Sequence, residues 1–141
     1  NNTSNLADAY KRNELDKGSK IGIFALSATI VDRAEPSEAL KSNIVFHLGL
    51  KENKVLLSSL QLDAFRKGFD INEETDIKAE KGAYFVQSSF CLKGGQKEEW
   101  MFAADINKSS SDLIELKDSL SRNKNIIEDI NEEILNSSNE L

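Results

Sequence analysis

The C-terminal segment, residues 109–141, constrains the fold of this chain more than any other part of its sequence. Apolar residues recur there every seven positions, and a second series with one polar member fills the intermediate positions. The two series are Leu113, Leu120, Ile127 and Ile134, and Leu116, Asn123 and Ile130. This heptad pattern predicts an amphipathic helix of about 24 residues, roughly 36 Å long. Because a compact sheet needs a shorter cover, we expect the second half, from Ile126 on, to extend past the body or to kink near Asn123.

The same segment contains most of the charge of the chain. It has eight acidic and three basic residues, a net charge of −5, whereas the whole chain has a net charge of −6. Residues 1–108 are therefore close to neutral. Four of the acids lie near the C-terminal end of the predicted helix, where the helix dipole disfavours each by roughly a few tenths of a kcal/mol. A basic protein partner would relieve this repulsion, and fraying of the last turns is the alternative.

The far end of the helix is the candidate partner-binding site. Its apolar residues are Ile126, Ile127, Ile130, Ile134 and Leu135. We predict that they bind a protein partner or a second copy of the chain. The alternative is that the whole apolar stripe packs along the sheet of its own chain.

Strand signals fill the central part of the chain. Runs of apolar or alternating residues predict strands over 20–31, 43–50, 55–62, 83–92 and 98–106, with a short strand near Ile77. We expect 55–62 to return from 43–50 as a hairpin. Residues 63–81 leave open whether that strand continues or a helix begins. The polar N-terminal segment, residues 1–19, predicts a short helix over 5–15 that ends at Gly18, with disorder as the alternative.

The clearest hairpin signal is the pair Gly94-Gly95, which separates the segments 83–92 and 98–106 and permits a tight turn. Apolar residues alternate with other residues in the second segment, as in a strand with one buried face. Those expected to face the core are Trp100, Phe102, Ala104 and Ile106.

With 141 residues, the chain is long enough for one domain with its own core. We predict an α+β fold, an antiparallel sheet or partly open barrel of about five to seven strands closed by the long C-terminal helix. Residues 1–19 form a polar N-terminal segment, 20–108 the β body, and 109–141 the helix of the same domain.

Composition excludes several classes of function. The acidic net charge and the lack of clustered Lys and Arg argue against nucleic acid and anionic membranes as partners. No apolar run approaches the length of a spanning helix. A single cysteine, Cys91, favours a reducing compartment and hence a cytoplasmic location. An exported or surface domain is the alternative, because the chain starts with Asn1 and its ends are rich in Asn and Ser.

His47 and Cys91 are the only histidine and the only cysteine, and a Cys–His pair is a known catalytic arrangement. Both lie within predicted strands, with no activating helix N-terminus or cation indicated. We therefore predict a packed histidine, a buried thiol and no enzymatic activity. One His and one Cys also cannot supply the four ligands of a zinc site, so no metal or other cofactor is expected.

The loop 70–81 places oxygen ligands at alternate positions, as a calcium-binding EF-hand does. However, Thr75 stands where the loop needs glycine, and Lys81 stands where it needs a bidentate glutamate. We therefore exclude an EF-hand.

The end of the chain resembles a pleckstrin-homology domain, whose last strand reads aromatic-X-Ala before a closing helix. Phe102 and Ala104 match the strand, and Leu113 and Leu116 match the helix. The resemblance implies a protein-binding adaptor. The loop 32–42 lacks the basic cluster of the phosphoinositide-binding members, so lipid binding is not expected.

The chain also resembles the small chaperones of bacterial type III secretion systems, which are acidic and non-enzymatic and have an amphipathic C-terminal helix. A possible helix near 62–70 between strands fits their layout, whereas residues 1–19 are more polar than the first helix of that family. This resemblance implies a homodimer that holds an extended effector protein on an apolar surface.

Overall fold

A computed structural model describes residues 11–26, 41–122 and 126–139. These residues contain seven strands and three helices. The strands are β1 (Lys11–Asp16), β2 (Ile21–Leu26), β3 (Ser42–Leu48), β4 (Asn53–Leu56), β5 (Asp76–Lys78), β6 (Phe85–Ser88) and β7 (Met101–Lys108). The helices are α1 (Leu62–Arg66), α2 (Ser110–Arg122) and α3 (Ile126–Asn139).

Five of the strands form the main sheet, in the order β5-β1-β2-β3-β7, and β4 pairs with β6 in a second sheet. Every strand pair is antiparallel. The predicted α+β class with an antiparallel sheet and a C-terminal helix is confirmed. The described strands do not close into a barrel.

Helix α2 covers one face of the main sheet. Alternation along β3 directs Ile44 and Phe46 to this face, where both are buried together with Ile21. Leu113, Leu116 and Leu120 of α2 pack against this cluster. The first half of the predicted heptad stripe is therefore a core element of the fold.

The second sheet covers the opposite face of the main sheet. Leu15 of β1 is buried against Val55 and Leu57, with further apolar side chains around them. The surrounding residues are Phe24, Ile77, Tyr84 and Val86. Full burial of one such aliphatic side chain is worth roughly 1.5–3 kcal/mol, so the main sheet is stabilised from both sides.

The predicted helix over 5–15 is wrong from Lys11 onward, because β1 occupies that part. Asn13 and Leu15 both point into the core, as alternate residues of a strand do. The Asn13 amide satisfies its hydrogen bonds there by donating to the carbonyls of Leu57 and Glu80, both at 3.3 Å. The β body thus begins earlier than residue 20. Residues 5–10, the end of the predicted strand 20–31 and the loop 32–40 lie outside the described residues.

Both predicted hairpins are wrong as strand ladders. Strand β4 pairs with β6 rather than β3, and β7 pairs with β3 rather than β6. The turn at Gly94-Gly95 is nevertheless present, because Gly95 has a φ of 81° and Gln96 N–H donates to the Lys93 carbonyl at 3.0 Å. The sequence indicates the turn but not the sheets to which its two arms belong. Residues 62–66 form helix α1, and β5 contains the strand predicted near Ile77.

The C-terminal segment is described as two helices, with residues 123–125 between them outside the described part. Ser109 caps α2. Its hydroxyl and backbone N–H donate to Asp112 Oδ2 at 2.9 and 3.0 Å, and Asp112 N–H donates back to Ser109 Oγ at 3.3 Å. This reciprocal capping box fixes the start of α2 directly after β7. No helix among the described residues is both long and apolar enough to cross a membrane.

Candidate protein-interaction site

A row of exposed apolar side chains lies on and just before β7. Phe102 is 50% exposed, Ile106 is 67% exposed, and Trp100 is similar to Phe102. The prediction that this row faces the core is wrong, because Ala103 of the alternate series packs with the buried cluster beneath α2. The second sheet packs against Leu15 of β1, towards the opposite edge of the main sheet. It therefore leaves Phe102 and Ile106 of β7 exposed.

Aromatic contacts connect this row to the covered part of the sheet. The Phe102 ring lies 6.1 Å from that of Tyr84, nearly perpendicular to it, and 6.3 Å from that of His47. The Trp100 ring lies 5.8 Å from that of Phe90, which is also exposed. We call Phe90, Trp100, Phe102 and Ile106 the β7 surface. Large aromatic residues of this kind are enriched in protein interfaces.

Beneath the β7 surface, His47 and Tyr84 form a partly buried hydrogen-bonded pair. Tyr84 Oη donates to the Lys20 carbonyl at 2.6 Å, so its oxygen is left to accept from His47 Nδ1, 2.8 Å away. His47 therefore has a proton on Nδ1. Burial lowers the pKa of His47, the charge of Lys20 lowers it further, and Glu73 opposes these effects. Burial and then Glu73 raise the pKa of Tyr84 far above its ordinary value.

Two adjacent glutamates bond to β4 and the residues that follow it, and Glu73 also connects β4 to Lys20, just before β2. Glu73 pairs with Lys20 Nζ, 2.6 Å from Oε1, and its Oε2 accepts from Val55 N–H at 3.0 Å. Glu74 is only 6% exposed. Its Oε1 accepts from the backbone N–H groups of Leu57 and Ser58 and from the Ser58 hydroxyl, at 2.8 to 2.9 Å, and Oε2 accepts from the Gln61 amide at 2.9 Å. These bonds compensate the burial of the carboxylate.

The structure places His47 and Cys91 in different environments. His47 is buried, at 7% exposure, and hydrogen-bonds to Tyr84. Cys91 is a free thiol on the exposed linker between β6 and β7, so the prediction of a buried thiol is wrong. Neighbouring positions 89–100 are exposed throughout, because neither sheet includes them.

In the loop 70–81, two carboxylates that could have served as calcium ligands bond to other groups of the chain. Asp70 Oδ1 accepts from Lys54 Nζ at 2.9 Å, and Glu74 is engaged as described. Across the described ranges, no group of three or more His, Cys, Asp or Glu side chains is arranged to hold a metal ion.

Helix α3 contains the residues predicted to bind a partner. The described side chains from 128 to 138 are exposed, with the single exception of half-buried Ile130. Ile134 is 57% exposed and Leu135 is similar. Leu135 follows Ile134 directly and so lies about 100° further around the helix axis, off the stripe. Ile126 and Ile127 belong to the first turn of α3, and their side chains lie outside the described residues.

Compared with known proteins, the sequence matches no family model and no curated protein. The residues of the chain itself must therefore support any functional argument.

Sequence reasoning missed the His47–Tyr84–Lys20 network and the buried Glu74. Only Gly22 gives a signal for the first, because a Cβ atom there would lie 2.8 Å from the Tyr84 ring. A glycine within a strand indicates such a close approach, but not which side chain approaches.

Proposed function

We propose that this chain is a non-catalytic protein-interaction module and that α3 binds a basic amphipathic segment of a partner protein. The observation that supports the proposal most directly is the exposure of Ile134 on a helix with four acidic residues and no lysine or arginine. An apolar stripe exposed to water does not stabilise a helix, so we explain the stripe by a partner that covers it.

The chemistry of the stripe defines the partner. Ile130 and Ile134 are one turn apart, and with Glu133, Ser137 and Ser138 they line a shallow concavity on α3. An apolar side chain fits between the two isoleucines, and a lysine or arginine beside it reaches Glu133. That cation also offsets the negative charge of the helix, which has four acidic residues and no lysine or arginine. This is helix-in-groove recognition combined with charge pairing.

Among classes of interaction protein, we propose a pleckstrin-homology-like adaptor first. A secretion chaperone is the second candidate, because the exposed β7 surface suits an apolar, extended partner. The two classes differ in the partner, which is a helical segment bound by α3 for the adaptor and an extended apolar segment held on the β7 surface for the chaperone.

The proposal is tested with a fluorescent synthetic peptide that forms a helix with a leucine stripe flanked by lysines. The control peptide has the same stripe flanked by glutamates. We expect the chain to bind the lysine peptide and not the glutamate peptide, with affinity that falls as salt is added. Binding is measured by fluorescence anisotropy.

Three variants locate the site. Ile134→Asp should abolish binding, and Glu133→Lys should weaken it by roughly tenfold, about 1.4 kcal/mol. Glu99→Lys makes the same charge change at an exposed position on the β6–β7 linker and should leave the affinity unchanged. Equal binding of both peptides, or full binding by Ile134→Asp, contradicts the proposal.

A further inference from the structure

We infer that β7 is the edge through which two copies of this chain pair, extending the main sheet across a two-fold axis. The inference rests on the β7 surface and on the order of the strands. It is independent of the binding proposed for α3.

The two edges of the main sheet differ in how they are protected. Strand β5 is three residues long and has charged side chains at both ends, Asp76 and Lys78, which is how natural proteins block edge pairing. Strand β7 is eight residues long, and within the described residues it pairs only with β3. Its ladder is irregular only towards its C-terminal end, between the partners Asp105 and Lys108, and it runs in regular register from Met101 to Asp105. Its charged side chains, Asp105 and Lys108, pair with each other at 2.9 Å. A long, unpaired edge beside exposed apolar side chains is a template for another strand.

A second copy fits this edge better than an extended peptide does. A peptide strand added to β7 would present a new unpaired edge of its own. Antiparallel pairing of β7 with β7 of a second copy joins the two open edges to each other, and the short charged β5 then lies at both ends of the combined sheet. A closed two-fold dimer is also the commonest assembly of identical chains.

The sequence of β7 determines the register. A two-fold axis between antiparallel strands is perpendicular to the sheet, so opposed residues must come from the same face of the strand. If the axis passes between the two copies of Asp105, two carboxylates lie opposite each other, which is unfavourable. If it passes between the two copies of Ala104, Phe102 of each copy lies opposite Ile106 of the other. This register pairs the two largest exposed side chains of β7 twice, and aromatic–β-branched pairs stabilise antiparallel strands.

The acidic residues between α2 and β7 predict that the dimer becomes more stable as salt is added. Three acids, Asp105, Asp112 and Glu115, and one base, Lys108, line the groove between α2 and β7, so the groove is negatively charged. A second copy brings the same acids to the other side of the axis, and these like charges repel. Added salt screens the repulsion and should strengthen the dimer, whereas it should weaken binding of the lysine peptide to α3. The two proposals therefore fail independently.

The first experiment is light scattering of the full chain across a dilution series. We expect a mass twice that of the chain, returning to one chain on dilution. Ala104→Asp puts two carboxylates at the axis and should give a monomer at every concentration. Because Ala104 is exposed, this variant should keep the wild-type circular dichroism spectrum. The control, Lys78→Asp, adds an acid to the opposite edge and should remain dimeric.

The second experiment tests the register in a Cys91→Ser background with a short thiol cross-linker. Ala104→Cys should give a covalent dimer, because the two thiols face each other at the axis. Ile106→Cys should not, because its two thiols lie about 13 Å apart along the strands. Cross-linking through Ile106→Cys as readily as through Ala104→Cys overturns the register.

Two further results overturn the pairing itself. One is a wild-type chain that stays monomeric at every concentration, including a monomer that binds an extended peptide instead. The other is a dimer that survives Ala104→Asp but is lost in Ile134→Asp, because that dimer would form through α3.

Discussion

Lys117 Nζ lies 2.9 Å from Asp16 Oδ1, and this ion pair joins the middle of α2 to the end of β1. Asp16 also accepts from the Ser19 hydroxyl and backbone N–H. Partial burial acts to raise the pKa of Asp16, but the hydrogen bonds from Ser19 and Lys117 outweigh it and lower the pKa below its ordinary value. The pair therefore couples the position of α2 to the ionisation of Asp16 at the end of β1.

Lys117→Met should destabilise the protein modestly, by about 0.5 kcal/mol, because the lysine is partly exposed. The contribution of Asp16 is present above its unfolded pKa, about 3.9, and is lost as pH falls through its lower folded pKa. The variant should therefore lose less stability than wild type on acidification through this range. Urea denaturation measures both effects, with Arg122→Met on the same helix as the control. Identical acid sensitivity of Lys117→Met and wild type would contradict this account.

His47 should make stability depend on pH near neutrality. Its folded pKa is lowered, so its contribution is complete above the unfolded pKa of about 6.5 and is lost as pH falls through the folded pKa. The free energy of unfolding should thus fall as pH is lowered from about 6.5 towards the folded pKa. His47→Asn keeps an N–H donor for Tyr84 but cannot take up a proton, and it should flatten the dependence. An equal slope in the variant would assign the effect to other groups.

Glu74→Gln should cost roughly 1–3 kcal/mol of stability, although it changes few atoms. An amide at Glu74 can still accept from Leu57 and Ser58 through its oxygen. Its NH₂ group would then face the Gln61 NH₂ group, two donors with no acceptor between them. Glu99→Gln, at an exposed linker position, should be close to neutral. Chemical denaturation of both variants measures the difference, and equal effects would show that the buried bonds add little.

Gly22→Ala and Gly94→Ala make the same substitution in opposite environments. A Cβ atom at Gly22 meets the Tyr84 ring at 2.8 Å, and we expect a cost of about 1–3 kcal/mol from overpacking. Gly94 has no heavy atom within 4 Å of a Cβ and no positive φ, so alanine there should be neutral or stabilising by up to about 1 kcal/mol. Thermal unfolding of the two variants provides the comparison. A melting temperature lowered equally by both would refute the close approach.

The sequence predicts local structure well where a single element decides it. The alternation in β3 identifies the face of Ile44 and Phe46, and the heptad stripe identifies the α2 residues that pack on the sheet. Both patterns depend only on the geometry of one strand or one helix. The turn at Gly94-Gly95 is predicted for the same reason.

Pairing between distant strands could not be predicted in this way. Alternation shows that Phe102 and Ile106 share a face of β7, but the neighbours of β7 decide whether that face is covered. Here β4 and β6 form a separate sheet that packs at β1, so the face stays exposed. The hydrogen bond between His47 and Tyr84 likewise joins β3 of the main sheet to the residue just before β6. The α3 residues were predicted as a site from their pattern and charge, and their role as a binding surface stays a prediction.

Only the capping residue Ser109 separates the last strand from the helix that follows it. Strand β7 ends at Lys108 and α2 begins at Ser110. One inserted residue between them would rotate the leucine stripe of α2 by about 100° relative to the sheet. Insertions and deletions at this junction should therefore be rejected during evolution or engineering, whereas the exposed linker 89–100 should accept changes of length.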